Sequence, residues 1–582
     1  MNNTKESANF IWSIADLLRG DYKQSDYGKI ILPLTVLRRL DCVLENTKEN
    51  VLKKHEQTKT MNIQNLDPIL NKVAGYNFHN KSSYDFEKLI ADPNNIASNL
   101  RNYINGFSED AREIIEQFEF DNQITKLEDS NLLFMVLKRF QEVDLHPEKI
   151  SSMEMGYMFE ELIRKFSEIS NETAGEHFTP REVIRLMVNL LFMNDREILT
   201  QKGIVKTIFD CCAGTGGMLS VAEEYLHELN PDARLEVFGQ ELNPESYAIC
   251  KSDMLIKGQN PSNVARGNSL KRKDGLKLKG DQFVNHKFDY LITNPPFGVK
   301  WKKVEKEVKE EHSELGHGGR YGAGLPSVSD GSFLFLMNLI SKMKSPEDGG
   351  SRLAIVFNGS PLFSGSPSSK KNESSIRQWI IENDLLESVI ALPNQLFYNT
   401  GISTYVWMLC NHKSKERKGK VQLINGVDFF KKMSKSLGDK RNELSEEHIN
   451  EITAMYGSFR ESEHCKIFDN TDFGYSKVTV ERPLRKNGNV VVDKKGNAKP
   501  DSSLRDTENI PLKEDIDAYM EREVLPHVPD AWVDEKKTNV GYEINFTKYF
   551  YEYKPLRSLD EIRADILALE NDTDGLLKKA IS

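Results

Sequence analysis

The chain of 582 residues is predicted to be an α/β protein. A mostly parallel sheet wrapped by helices follows an N-terminal helical domain and precedes a mostly helical C-terminal tail. Three observations carry this reading. Residues 1–150 show helical periodicity, with no strand–helix alternation and no glycine loop. From 204 to about 412, short apolar runs alternate with helical stretches, the pattern of a parallel sheet covered on both faces. Beyond 413 the charged linker SKERKGK opens a tail that ends in apolar residues at helical spacing. The expected domains are therefore 1–150, 151–415 and 416–582.

In the first domain, SANFIWSIADLLRG sets Ile11, Ile14, Leu17 and Leu18 on one helix face, and KIILPLTVLRRLDCVLE follows. GYMFEELIRKFSEISNETAGEHFTPREVIRLMVNLL (156–191) reads as two helices around a loop. Thr179 suits the N-cap of the second, Pro180 its first residue, and Glu182 would close a capping box. Capping accounts for those three residues and leaves the His177–Phe178 pair before them unexplained. The candidate strands are IVKTIFD, LEVFGQEL, NVARGNSL, FDYLITN, RLAIVFN, LESVIAL and TYVWMLC. Residues 299–331 form a polar, glycine-rich insertion, of the length common in lids and binding loops. In the tail, SEEHINEITAMYGSF is helical text, and 484–512 is polar with turn signals at NGN and KKGN. The stripe Leu559, Ile562, Ile566, Leu569 can pack on its own domain or against a partner helix.

Composition excludes several classes. Hydrophobic content is 38% and charged content 29%, as in a globular protein. No run of about 18 apolar residues suggests a membrane span, and MNNTKESANF lacks the layout of a signal peptide. The six cysteines are scattered, with no metal-ligand or disulfide spacing, so no metal is expected and a reducing cytoplasm fits. The net charge of −10 is unlike that of a free nucleic-acid-binding protein. Two routes to phosphate stay open: a local basic patch, or a partner that supplies most of the contacts.

The chemistry gathers at strand ends. In IFDCCAGTGGML (208–219) an apolar strand ends at Asp210, a loop carries Gly214, Gly216 and Gly217, and a helix begins. Glycines permit the tight turn and a ligand's approach to the backbone. A phosphate loop would place lysine after the glycines, and a dinucleotide loop would place a third glycine at 219. Met218 and Leu219 stand there instead. The loop thus favours a nucleoside without a phosphate chain. Glu241, 24 residues past Gly217, ends the next strand, where a carboxylate accepts bonds from ribose hydroxyls. Asn268 ends the third strand and is available to an adenine edge. The fourth strand delivers Asn294, Pro295, Pro296 and Phe297 in LITNPPFGVK. The two prolines hold Asn294 and Pro295 extended.

This series resembles the S-adenosylmethionine-dependent amino-methyltransferases of DNA, with their D-x-x-x-G-x-G and [DN]PP[FYW] loops. More narrowly, it is similar to the modification subunits of type I restriction–modification systems. GYMFEELI, GEHFTPREVIRLMV, CAGTGGML, TNPPFG, SDGSFLFLMNLI, ALPNQLFYNTGIST and GYEINFTKYFYEY carry the likeness over nearly the whole chain. The resemblance implies a Rossmann-like catalytic domain that uses S-adenosyl-L-methionine to methylate adenine N6. It implies cofactor contacts at Glu176, His177, Phe178, Thr179, Pro180, Arg181, Asp210, Ala213, Gly214, Thr215, Gly216, Gly217, Glu241 and Asn268. It also implies partners: double-stranded DNA, a DNA-specificity subunit, a second copy of this subunit and, in some complexes, a nuclease/translocase subunit. Two positions depart from the family pattern: Cys211 stands where proline is usual, and Asn268 where aspartate is common.

The NPPF loop suits that chemistry. The lone pair of an adenine amine is delocalised into the ring. Acceptors on its hydrogens, the Asn294 side-chain oxygen and the Pro295 carbonyl, would draw it towards a tetrahedral, nucleophilic nitrogen. Phe297 offers a face to a base taken out of the stack. Two other readings share these motifs: methylation of RNA or of a protein amide, and a silent cofactor-binding scaffold in a DNA complex. No segment reads as a separate target-recognition domain.

Overall fold

The computed structural model describes residues 13–59, 61, 63, 65–170, 179–272, 280–367, 371–398, 400–551 and 558–569. The expected site residues Glu176, His177 and Phe178 lie outside them.

Seven strands form the heart of the molecule: β1 (Val205–Asp210), β2 (Arg234–Glu241), β3 (Val264–Arg266), β4 (Tyr290–Thr293), β5 (Arg352–Asn358), β6 (Leu386–Ala391) and β7 (Thr404–Cys410). All seven fall within the runs singled out in the sequence. Next come β8 (Lys420–Asn425), a hairpin of β9 (Lys431–Leu437) and β10 (Lys440–Glu443), and β11 (Cys465–Asp469). One nine-stranded sheet has the order β11-β8-β6-β7-β5-β4-β1-β2-β3. The pairs from β5 through β4, β1 and β2 to β3 are parallel. β7 runs antiparallel between β5 and β6.

Every residue of β4 and β6 is buried, as are the first six of β5. Continuous burial follows from helices on both faces, and it explains why LAIVF of β5 reads as an unbroken apolar run rather than an alternating one. The switch point of the sheet lies between β1 and β4. The chain goes outward from β1 to β2 and β3 on one side and resumes at β4 on the other. Ligands bind in the crevice that such a reversal opens at the carboxyl ends of the strands. The glycine loop leaves β1 there and NPPF leaves β4.

The N-terminal helices share one apolar core that runs from Ile14 to Phe166 and includes Ala248, Ile249 and Leu255 of the helix Pro244–Ile256. Lys251 of that helix pairs with Glu113 at 2.6 Å. The helix Ser152–Ser170, expected to open the catalytic domain, therefore packs with the helical domain.

The tail departs most from expectation. It was read as mostly helical and poor in strands, yet β8 and β11 extend the main sheet past residue 415. A four-stranded sheet follows, built around β12 (Gly474–Glu481); the small hairpin of β13 (Arg485–Lys486) and β14 (Asn489–Val490) lies between β12 and the next strand of that sheet. β15 (Asp506–Pro511) pairs with one edge of β12, and β16 (Trp532–Val533) and β17 (Asn539–Tyr542) share its other edge. The NGN turn does close a hairpin, with Asn487 and Gly488 at φ 51° and 83°, as a two-residue turn requires. The helix expected at SEEHINEITAMYGSF is present as Glu446–Ser458. The insertion 299–331 is also more ordered than its composition suggests, since it contains the helix Glu305–Leu315.

Residues 545–582 form a second compact unit. Its described residues include a short helix, Phe546–Phe550, and a helical run over 559–569. There Leu559, Ile566 and Leu569 are exposed, while Ile562 is half-buried.

Candidate active site

The loop after β1 is shaped by two left-handed residues, Gly214 at φ 54° and Gly216 at φ 87°. A side chain would be strained at either, and a Cβ on Gly216 would also sit 2.8 Å from Cys250 Sγ. The Gly216 amide donates to the Ala213 carbonyl at 2.8 Å, which closes the turn. Glu241, at the end of β2, binds this loop from the side. Its Oε2 accepts from the Gly214 amide at 2.8 Å, and its Oε1 accepts from the Leu242 and Asn243 amides, both at 2.7 Å. Three backbone donors thus orient the carboxylate.

Asp210 is buried at the end of β1. Its Oδ1 accepts from Thr293 Oγ1 at 2.7 Å and from the Cys212 amide at 2.9 Å. Burial pushes its carboxyl up from the ordinary range to about 7, against those two hydrogen bonds, and nearby Glu241 pushes the same way. Thr293 immediately precedes Asn294. The Asp210–Thr293 bond therefore ties the glycine loop to the NPPF loop across the switch point.

On the far side of that loop, Asn294 Nδ2 donates to Thr179 Oγ1 at 2.8 Å. This corrects the expected capping box. The helix begins at Arg181 with Pro180 as its N-cap and has no side-chain cap. The Pro180 carbonyl takes the first intrahelical bonds, from Val183 and Ile184. Thr179 is engaged by Asn294, and Glu182 pairs with the buried Lys440 of β10. With Nδ2 held by Thr179, the amide of Asn294 keeps Oδ1 as its acceptor end.

A cavity of about 610 Å³ joins these parts. Of the expected residues, Thr179, Asp210, Ala213, Gly214, Thr215, Gly217, Glu241, Asn268, Asn294 and Pro296 line it. Pro180, Arg181, Gly216, Pro295 and Phe297 are not among its lining residues. Arg181 is buried, 3.1 Å from Glu160, and donates to the Gly217 carbonyl at 3.3 Å. Phe297 is also buried, edge-on to Phe397 with ring centroids 6.0 Å apart. A stacking role for it requires that pair to open. Asn268 turns its Oδ1 back to the Leu270 amide at 2.9 Å, so its side chain also shapes the turn after β3.

Other lining residues escaped the sequence reading. Glu160 reaches the cavity from the helix Ser152–Ser170. Leu242, Ser269, Trp301 and Phe335 are among the other lining residues. Trp301 had a signal, as the sole large aromatic opening a polar insertion. Its indole donates to the Ser327 carbonyl at 2.8 Å. Arg320 fastens the same insertion to the loop after β3: it donates to the Ser269 carbonyl at 2.8 Å and pairs with Glu311 at 2.6 Å. Tyr321 adds a bond to the Leu270 carbonyl at 3.0 Å. The insertion is thus a lid clamped over one end of the cavity.

The cavity suits S-adenosylmethionine. Its charged lining is mixed, Glu160, Asp210 and Glu241 with Lys300 and Lys303, and Glu241, held by three backbone amides, is the carboxylate placed for the hydroxyls of a nucleoside. Among the described residues no cluster of side chains could hold a metal ion.

The raised Asp210 carboxyl has a measurable consequence in the ligand-free protein. The folded state prefers it protonated up to about pH 7, whereas the unfolded chain ionises it near pH 4. The carboxyl's own contribution to stability is therefore fullest below about pH 4, falls as pH rises, and levels off above about 7, a loss on the order of 4 kcal/mol. Asp210→Asn keeps an acceptor for Thr293 and Cys212 and cannot ionise. The drop in melting temperature between about pH 5 and pH 8 should shrink in this variant. An equal drop in both proteins would remove Asp210 as its source.

Comparison with known proteins agrees with this geometry. Residues 151–493 match the N-6 DNA Methylase family, and residues 7–140 match the HsdM N-terminal domain. The chain is 26% identical to the type I restriction enzyme MjaIX methylase subunit of Methanocaldococcus jannaschii, over 84% of this chain and 83% of that one. It is 28% identical to the HindI methylase subunit of Haemophilus influenzae, over 47% and 54% of the two chains. The methyltransferase subunit of a type I restriction-modification system from Streptococcus thermophilus has the same fold, with a TM-score of 0.62 at 21% identity, covering 81% of this chain and 97% of that one.

Proposed function

Because the chain belongs to the N-6 DNA methylase family, we propose that it is a site-specific DNA adenine methyltransferase. In this reading it transfers the methyl group of S-adenosylmethionine to N6 of an adenine taken out of the duplex. It acts as the modification subunit of a type I restriction–modification complex. The observation that carries the reading is the placement of Asn294. It lines the same cavity as Glu241 and is bonded on one flank to Thr179. Its neighbour Thr293 is bonded to Asp210.

The cofactor supplies an activated methyl group. Glu241 is oriented for the ribose hydroxyls, and the glycine loop lies along the nucleoside. Asn294 Oδ1 and the Pro295 carbonyl accept hydrogen bonds from the two N–H groups of the adenine amine; the nitrogen takes the methyl group from sulfur and gives up one of the two protons. The Thr179 hydroxyl holds the Asn294 amide in place, and the two prolines fix the backbone beforehand, so little reorganisation accompanies the reaction. Trp301 and the Arg320-clamped lid keep water from the cavity.

Sequence readout belongs in this proposal to a separate specificity subunit, flanked by two copies of this chain and joined in some complexes by a nuclease/translocase subunit. The net charge of −10 supports delegated DNA docking. The exposed Leu559, Ile566 and Leu569 support a helix seam for that partner. Among the described residues no helix is long and apolar enough to cross a membrane, which agrees with a cytoplasmic complex. Co-expression with neighbouring gene products, followed by mapping of N6-methyladenine, tests the whole. One methylated motif is the expected result. Methyl transfer confined to RNA or protein, or cofactor binding with no transfer in the assembled complex, overturns it. Deletion of residues 545–582 should leave cofactor binding intact and abolish co-elution with the specificity subunit on size exclusion. A truncated chain that still assembles would make this segment merely structural.

A further inference from the structure

The chain is acidic overall, but its charge is uneven. The β9–β10 hairpin, KKMSKSLGDKRNE (431–443), holds five cations and two carboxylates. Lys431, Lys432, Lys435 and Arg441 are exposed, and among the described residues none of the four is in an ion pair. The carboxylates nearby are Asp439 at the turn and Glu443, which is the cross-strand neighbour of Lys431.

The hairpin is not a loose appendage. Lys440 is buried, pairs with Glu182, and donates to the carbonyls of Leu396 and Asn442 at 3.0 and 2.9 Å. The Asp439 amide donates to the Tyr398 carbonyl at 2.8 Å, and the Arg441 amide to the Gln395 carbonyl at 2.9 Å. Both anchors end on the loop between β6 and β7, which packs against the NPPF loop. Phe397, between Gln395 and Tyr398, packs on Phe297 of NPPF. Glu182 opens the helix that follows Thr179, the partner of Asn294. The unpaired cations are thus held rigidly beside the place where an extruded base would sit.

We propose that the β9–β10 hairpin is a contact surface for the DNA phosphate backbone, laid alongside the target-base site. The inference rests on the DNA reading above and adds the element by which this acidic chain grips its substrate. Lysines on a two-stranded ribbon also deter edge-to-edge association. That role needs polar side chains there, whereas a phosphate contact needs their charge and releases counterions.

The test measures binding of the full-length chain, co-expressed and purified with its specificity subunit, to a labelled mixed-sequence DNA duplex, by fluorescence anisotropy, between about 50 and 200 mM KCl. The variant combines Lys431→Gln, Lys432→Gln, Lys435→Gln and Arg441→Gln and leaves Lys440 in place. Each lost phosphate contact flattens the dependence of log affinity on log salt by about 0.9, so the slope should fall by about 3 to 4. Affinity at the lowest salt should drop more than about tenfold. Cofactor affinity and circular dichroism should be unchanged. A second variant, Lys431→Arg with Lys432→Arg and Lys435→Arg, keeps the charge and should keep the slope. If the wild type binds and methylates DNA while the glutamine variant keeps its slope, the hairpin inference alone is wrong. If the wild type neither binds duplex DNA nor methylates it with its co-expressed partners, the DNA reading falls and this inference with it.

Discussion

Asn294→Ala lowers methyl transfer by about 100-fold or more and leaves cofactor affinity within a few-fold of wild type. Alanine removes an acceptor for the adenine amine and the group that Thr179 holds at 2.8 Å. The backbone of the loop remains fixed by Pro295 and Pro296, and Asp210 still holds Thr293, so the cofactor side keeps its shape. Thr179→Ala is the milder companion. It keeps the acceptor but frees the amide to rotate, so the rate falls less and the loss is in orientation. Single-turnover transfer of labelled methyl to duplex DNA by the assembled complex gives the rates, and calorimetry gives the affinities. An Asn294→Ala variant that keeps most of its single-turnover rate takes Asn294 out of the chemistry.

Gly216→Val abolishes cofactor binding in calorimetry, a loss of at least about 100-fold, and lowers the melting temperature. Two independent costs act at this position. The backbone sits at φ 87°, where a β-branched residue is strained by about 1–3 kcal/mol. A Cβ there also meets Cys250 Sγ at 2.8 Å. Relief of either cost by moving the loop carries the Gly214 amide away from Glu241, so the two halves of the nucleoside site separate. Cys250→Ala separates the causes. The double variant regains stability, because the contact is gone, and still fails to bind, because the dihedral is unchanged. Full binding by the double variant would show that crowding alone mattered.

The parts of the site written in contiguous sequence were legible. A glycine loop after an apolar strand, an acid at the end of the next strand and prolines after the fourth are each local. The strand–helix alternation then places them together at strand ends. Glu160 was hidden because its role depends on which face of the helix Ser152–Ser170 meets the cavity, and that is set by packing. Thr179 was misplaced by one step. Its context, TPRE, satisfies the rule for a helix cap, and the bond that it makes instead comes from Asn294, 115 residues later. None of the tail's strands was foreseen, and for three of them the reason is different. β9 buries none of its residues fully, and β13 and β14 are exposed dipeptides. Such strands carry no apolar alternation to read. Phe297 looked like an open stacking face, and only the partner ring of Phe397 shows that it is covered.

The reversed strand of the sheet also constrains how the molecule comes into being. β5 and β6 lie on either side of β7, yet β7 is the last of the three in the chain. On the ribosome, β6 therefore emerges when the place beside β5 is still empty and the strand that belongs there has not been made. β5 is apolar from Leu353 to Phe357 and every residue of β6 is buried in the finished sheet, so direct pairing of β6 with β5 is a ready trap for the nascent chain. Escape requires β6 to stay undocked until Thr404–Cys410 has been synthesised and can slip between them. The half of the sheet that carries the glycine loop has no such wait, because β1, β2 and β3 are laid down in the order in which they pair.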